Sequence, residues 1–152
     1  MIRNQLAPAA VLLAALACLV VRARAGDSPG DVRPLMIDCL ELPPQLLGSG
    51  GGPKVFKSRE EVEKAAGKTV AAVLANYVDF SKENVVFVRW ETFGPPFGQL
   101  KYEITGKGKD RHVRFYVQEP PGNGPRGRAA RLGADFFAIP RDVTVKTMLG
   151  RL

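Results

Sequence analysis

The chain has 152 residues, 45% of them hydrophobic, 24% charged and 8% aromatic, a balance that fits one ordinary globular domain and excludes a disordered or collagen-like chain. Its formal charge is +7, but Arg3, Arg22 and Arg24 lie in the first 25 residues with no acid beside them, leaving 19 cations against 15 anions. That surplus is far from the basic footprint of a dedicated nucleic-acid binder, so no nucleic acid is expected as a partner. One His and two Cys are too few for a structural zinc site or for most acid/base machinery, and neither metal nor cofactor is expected.

The first 25 residues read as a signal peptide. Arg3 is followed by a nearly pure apolar run from Leu6 to Val21, and Ala23-Arg24-Ala25 has the small-x-small pattern of a signal-peptidase site, giving a mature start near Gly26. A retained anchor is the rival, yet sixteen apolar residues fall short of the roughly 20 that span a bilayer. Ala15-Leu16-Ala17-Cys18 resembles a lipid-attachment box only loosely, with Ala in its first position. An exported chain, in periplasm, envelope or medium, is therefore expected, touching membrane only through an uncleaved signal. Cleavage removes Cys18, so Cys39 remains alone without a disulfide partner, set among apolar neighbours as a buried thiol would be.

Residues 26–53 form a leader. Gly26 to Arg33 shows no periodicity, Leu35 to Leu42 has the composition of a strand, and Pro43-Pro44 and then Gly48 to Pro53 end it, the latter as a glycine-rich linker. Residues 54–152 then make one α+β domain. Ser58-Arg-Glu-Glu61 is a capping box, with Glu61 reaching back three residues. Val62, Ala65, Ala66, Val70, Val73, Leu74 and Tyr77 recur at helical spacing, so one amphipathic helix is expected over Ser58 to Tyr77, with Gly67 as a point of bending or splitting.

From Val85 the period becomes two. Val85 to Glu91, Gln99 to Thr105 and His112 to Gln118 read as antiparallel strands, the last two joined by the polar turn Gly106 to Asp110. That hairpin should set Leu100, Tyr102 and Ile104 beside Val113, Phe115 and Val117 on one face, with Lys101, Glu103, His112 and Arg114 on the other. Ala134 to Ile139 is a short strand closed by Pro140, and Val143 to Thr147 adds an edge. The expected fold is one amphipathic helix packed on a mainly antiparallel sheet or sandwich of four or five strands.

This order of elements resembles a known family. Phe56-Lys-Ser58 opens a helix, Val78 to Glu83 leads into Val85 to Val88, a Gly/Pro turn follows at Gly94 to Gly98, then the two alternating strands, then a strand ending in Ile139-Pro140. Over about Val55 to Asp142 the chain is similar to the C-terminal domain of bacterial PrcB-type subunits, which regulate or stabilise a partner protease, and to small exported bacterial proteins without known activity. It departs from them at Gly94-Pro95-Pro96-Phe97-Gly98, where the related domains carry a Thr-Gly-Gly-Tyr type turn. The resemblance implies a non-catalytic binding or accessory protein of the cell envelope, associating with a protease or another envelope protein.

Two surface features suit binding. Trp90, Phe93 and Phe97 surround the Gly94-Pro95-Pro96 turn, where rigid rings offer contact area at low entropic cost. Residues 101–152 hold 11 cations against 5 anions, with Arg126, Arg128 and Arg131 within six residues of one another, a patch for an acidic protein or an anionic polymer. The alternative is a small hydrolase, for which Cys39 with His112 is the sole Cys–His dyad. Carboxylate neighbours, Glu60 with Glu61 and Glu91 with Glu103, have no spacing that defines a glycosidase cleft.

Overall fold

The computed structural model describes residues 31–35, 37, 42–48, 52–121 and 129–146. Cys39, Arg126 and Arg128, and the whole expected signal segment, lie outside them. The described elements run β1 (Arg33–Leu35), α1 (Pro44–Gly48), β2 (Lys54–Phe56), α2 (Arg59–Ala66), α3 (Lys68–Ala75), β3 (Glu83–Gly94), β4 (Gln99–Thr105), β5 (His112–Gln118), β6 (Ala129–Pro140) and β7 (Thr144–Lys146). The α+β class is as expected, but the strands divide into two sheets: a four-stranded one ordered β1-β6-β3-β2 and a three-stranded one ordered β4-β5-β7.

The four-stranded sheet is the middle layer. On one face Leu35, Phe56, Val85, Phe87, Phe136 and Ala138 pack under Leu46 of α1, Val62 and Ala66 of α2, and Val70, Ala71 and Leu74 of α3. On the other, Val86, Val88, Phe137 and Ile139 meet Val113 and Phe115 of β5, with Leu100, Tyr102 and Val145 packed alongside. A strand covered on both faces needs an unbroken apolar run rather than an alternating one. Val85 to Val88 is such a run, and all four residues are buried.

The β4–β5 hairpin has the expected boundaries and register, Leu100 opposite Val117, Tyr102 opposite Phe115 and Ile104 opposite Val113. Phe115 and Phe137 meet across the two sheets with ring centroids 4.7 Å apart. The edge segment forms β7, which lies parallel to β5.

Three expectations are corrected and one element is new. The single helix over Ser58 to Tyr77 is two helices, because Gly67 takes φ 90° and ψ 163°, a conformation that breaks the helical ladder. Glu61 accepts from the Lys57 N–H at 2.7 Å rather than from Ser58, while Ser58 Oγ caps the Glu61 N–H as expected. Ahead of the expected linker, Pro44–Gly48 is one helical turn that no sequence pattern announced; it places Leu46 in the core, proline at the first position costing a helix nothing. Of the expected Leu35 to Leu42 strand, Leu35 pairs in the sheet while Ile37 and Leu42, the other described residues, are in no strand; the Leu35 carbonyl accepts from the Ile37 N–H at 2.9 Å.

Candidate functional site

β3 and β6 pair over twelve residues in one unbroken antiparallel register, from Glu83 opposite Pro140 to Gly94 opposite Ala129. The flanking strands are much shorter. β2 covers only Val85 to Phe87, and β1 only Phe136 to Ala138. The remaining halves, residues 88–94 and 129–135, form a two-stranded ribbon whose outer edges carry no strand among the described residues.

Side chains alternate across that ribbon. Val86 and Val88 face the three-stranded sheet, so Trp90, Thr92, Gly133, Arg131 and Asp135 share that side; Val85 and Phe87 face the helices, so Arg89, Glu91, Phe93 and Leu132 share theirs. Arg89 reaches the Leu47 carbonyl of α1 on that second side. The three aromatic residues expected around the turn are therefore not one cluster. Trp90 and Phe97 belong to one side and Phe93 to the other.

At the tip, Gly94-Pro95 and Pro95-Pro96 are both cis peptides. The turn folds so closely over Gly94 that a Cβ there would lie 2.5 Å from the Pro96 carbonyl oxygen. Gly98 returns under the ribbon, where its N–H donates to the fully buried Thr92 Oγ1 at 2.9 Å. The two prolines stay exposed and Phe97 half-buried. The exposed Arg131 places its guanidinium 6.0 Å from the centre of the Phe97 ring, a cation–π distance.

Trp90 lies across Gly133, its cross-strand partner, and its Nε1 donates to Asp135 Oδ2 at 2.7 Å. Neither Gly133 nor Asp135 stands out in the sequence as a site residue. A Trp–Gly pair becomes visible only once the register is known, because the two are 43 positions apart.

Of the dyad of the alternative chemistry, only His112 lies among the described residues. His112 is paired across the hairpin with Thr105, whose hydroxyl meets Nε2, while Nδ1 lies 3.1 Å from the Asp110 carbonyl. An imidazole whose Nδ1–H donates to a carbonyl and whose Nε2 accepts from a hydroxyl has both nitrogens engaged in holding the turn. Cys39 is outside the described residues. Glu61 caps α2, and Glu91 and Glu103 belong to different sheets. The exposed Glu60 carboxyl is held below its ordinary value by a hydrogen bond from Ser58, a helix-start effect. Among the described residues no group of three or more His, Cys, Asp or Glu could hold a metal ion.

Compared with protein-family models, with curated proteins and with solved structures, the chain matches none.

Proposed function

We propose that the chain is an exported, non-catalytic binding or accessory protein of the bacterial cell envelope, which engages a protein partner through the turn that joins β3 to β4. The observation that carries this reading is the pairing of Phe97 with Arg131 beside an exposed proline turn, at the end of a ribbon that reaches beyond its flanking strands. Aromatic rings and arginines are the residue types on which binding energy concentrates. Arg131 is held here by the β3–β6 register, and Phe97 by a turn whose next residue, Gly98, is fastened to Thr92. The resemblance to PrcB-type domains makes an envelope protease the first partner to test, and the C-terminal excess of cations favours an acidic surface on it.

Support for a non-catalytic role comes from what the reactive groups do: His112 fastens a hairpin turn and Glu61 a helix start. Export accords with the apolar run before Ala23-Arg24-Ala25, and mass spectrometry of the envelope fraction should find a mature chain beginning near Gly26.

The test is a comparison of wild type with Phe97→Ala. Affinity for a partner captured from envelope extract and identified by mass spectrometry should fall by about 1–3 kcal/mol, with the melting temperature nearly unchanged. A large loss of stability with no specific loss of binding would assign the ring to packing and overturn the proposal.

A further inference from the structure

The most exposed large apolar side chain among the described residues is Leu132, at 61%. It stands in the middle of the half of β6 whose outer edge carries no strand among the described residues: β3 pairs along one edge while β1 reaches only Phe136 on the other. Ile37 belongs to no strand; its N–H donates to the Leu35 carbonyl and its side chain packs against the helix-side core. The segment Ala129-Ala-Arg-Leu-Gly-Ala-Asp135 has no proline and no bulge, two of the devices that keep edge strands from pairing, and its two charges are of opposite sign.

An antiparallel copy of this segment fits it when centred on Leu132. Leu132 then faces its own copy, Ala130 faces Ala134, and Gly133 faces Arg131, so small residues flank the leucine pair on one side of the sheet. On the other side each Arg131, opposite Gly133 of the second copy, has Arg131 of that copy as one diagonal neighbour and Asp135 as the other, the ion pair with Asp135 spanning about 7–8 Å between Cα atoms, within reach of an arginine. The two-fold axis makes that ion pair twice. Asp135 uses only Oδ2 for Trp90, leaving its second oxygen to accept. On the outer edge of β3 the same operation about the centre of residues 88–94 sets Glu91 directly opposite Glu91, a closer like-charge contact than the diagonal Arg89–Glu91 pairs it also makes.

We infer that the chain forms a two-fold dimer in which β6 pairs edge to edge with β6 of a second copy, centred on Leu132, joining two four-stranded sheets into one. The contact is isologous and closes on itself, so it yields dimers and not fibres. It does not use Phe97, and no partner is needed to detect it.

The protein as processed and purified from expressing cells should sediment as a concentration-dependent dimer. Leu132→Lys sets two cations on the axis and removes the apolar pair, and should weaken the dimer about tenfold or more without unfolding a chain in which this side chain is exposed. Oxidation supplies a geometric readout, since residues facing each other across antiparallel strands have Cα atoms about 4.5–5.5 Å apart, within disulfide range. Leu132→Cys should cross-link to its own copy. Ala130→Cys, displaced from its own copy by four residues or about 13 Å along the strand, should not. A wild type that stays monomeric, a dimer indifferent to Leu132→Lys because it uses another edge such as β4, or equal cross-linking at positions 130 and 132 would each overturn the inference.

Discussion

Trp90 rests on Gly133. The two are cross-strand partners in the β3–β6 ribbon, and a Cβ built on Gly133 would fall 2.6 Å from the indole Nε1 and closer still to its six-membered ring. The indole takes the space that every other residue type at 133 would claim, and its N–H is fixed to Asp135. A Gly133→Ala change must therefore lift the ring, at a cost of about 1–3 kcal/mol, the range for overpacking a fitted site. Since Trp90 is the only tryptophan, its fluorescence reports the displacement directly. An unshifted emission maximum with unchanged stability would mean that the ring does not lie where the structure puts it.

A second prediction concerns Glu83, buried at the start of β3. Its carboxylate accepts from Arg33 Nη2 at 2.9 and 3.1 Å and from the Asp79 N–H at 3.2 Å, while the same guanidinium nitrogen donates to the Tyr77 carbonyl at 2.7 Å. One ion pair thus ties β1, the chain leaving α3 and β3 together. Glu83→Ala should cost about 2–4 kcal/mol by leaving the Arg33 charge unpaired, with only the Tyr77 carbonyl to accept from it, and the Asp79 amide without this acceptor in a mostly dry site. Adding Arg33→Ala should cost less than the sum of the single changes, which a double-mutant cycle by urea denaturation measures. Strict additivity would show that the pair is not coupled.

The β4–β5 hairpin was legible residue by residue because only one of its faces meets the core, so Leu100, Tyr102 and Ile104 alternate cleanly with polar neighbours. Helix existence was legible from the spacing of Val62, Ala66, Val70 and Leu74. The division into two sheets was not, because a strand such as β3, buried on both sides, has the same continuous apolar run whichever layers cover it. β6 was read at half its length, since Ala129 to Gly133 carries no β-branched or aromatic residue and its strand state comes from pairing with β3. For the candidate site, composition pointed to Phe97 and Arg131. Alternation and register decided that Trp90 joins their side of the ribbon while Phe93 does not.

Acid should weaken the fold in part through Asp79. Hydrogen bonds from the Ser81 hydroxyl and N–H, and then the nearby Lys82 ammonium, hold this exposed carboxyl below its ordinary value of 3.8. A carboxyl whose value is depressed on folding contributes stability that is complete above its unfolded value and is lost as pH falls through the folded one. The window therefore lies below 3.8. Ser81→Ala removes the hydroxyl bond, so the variant should start less stable at neutral pH and lose less on acidification than wild type. Parallel melting curves at neutral and low pH test this, and equal acid losses in the two proteins would refute it.

Gly67 separates a steric cost from a conformational one. It ends α2 and begins α3 at φ 90°, ψ 163°, a region open essentially to glycine alone, and nothing lies within 4 Å of a Cβ built on it. Gly67→Ala meets no neighbour, so any loss must come from the backbone, about 1–3 kcal/mol if the break between the helices is kept. Gly52 is the control: its Cβ position is equally open and its φ is not positive, so Gly52→Ala should stay within about 0.5 kcal/mol of wild type. If the two substitutions cost the same, the left-handed conformation at 67 is not what divides the helices. If Gly67→Ala instead gained helical circular dichroism with no loss of stability, the segment would be able to run on as one helix, and packing of Val70 and Leu74 would not require the break.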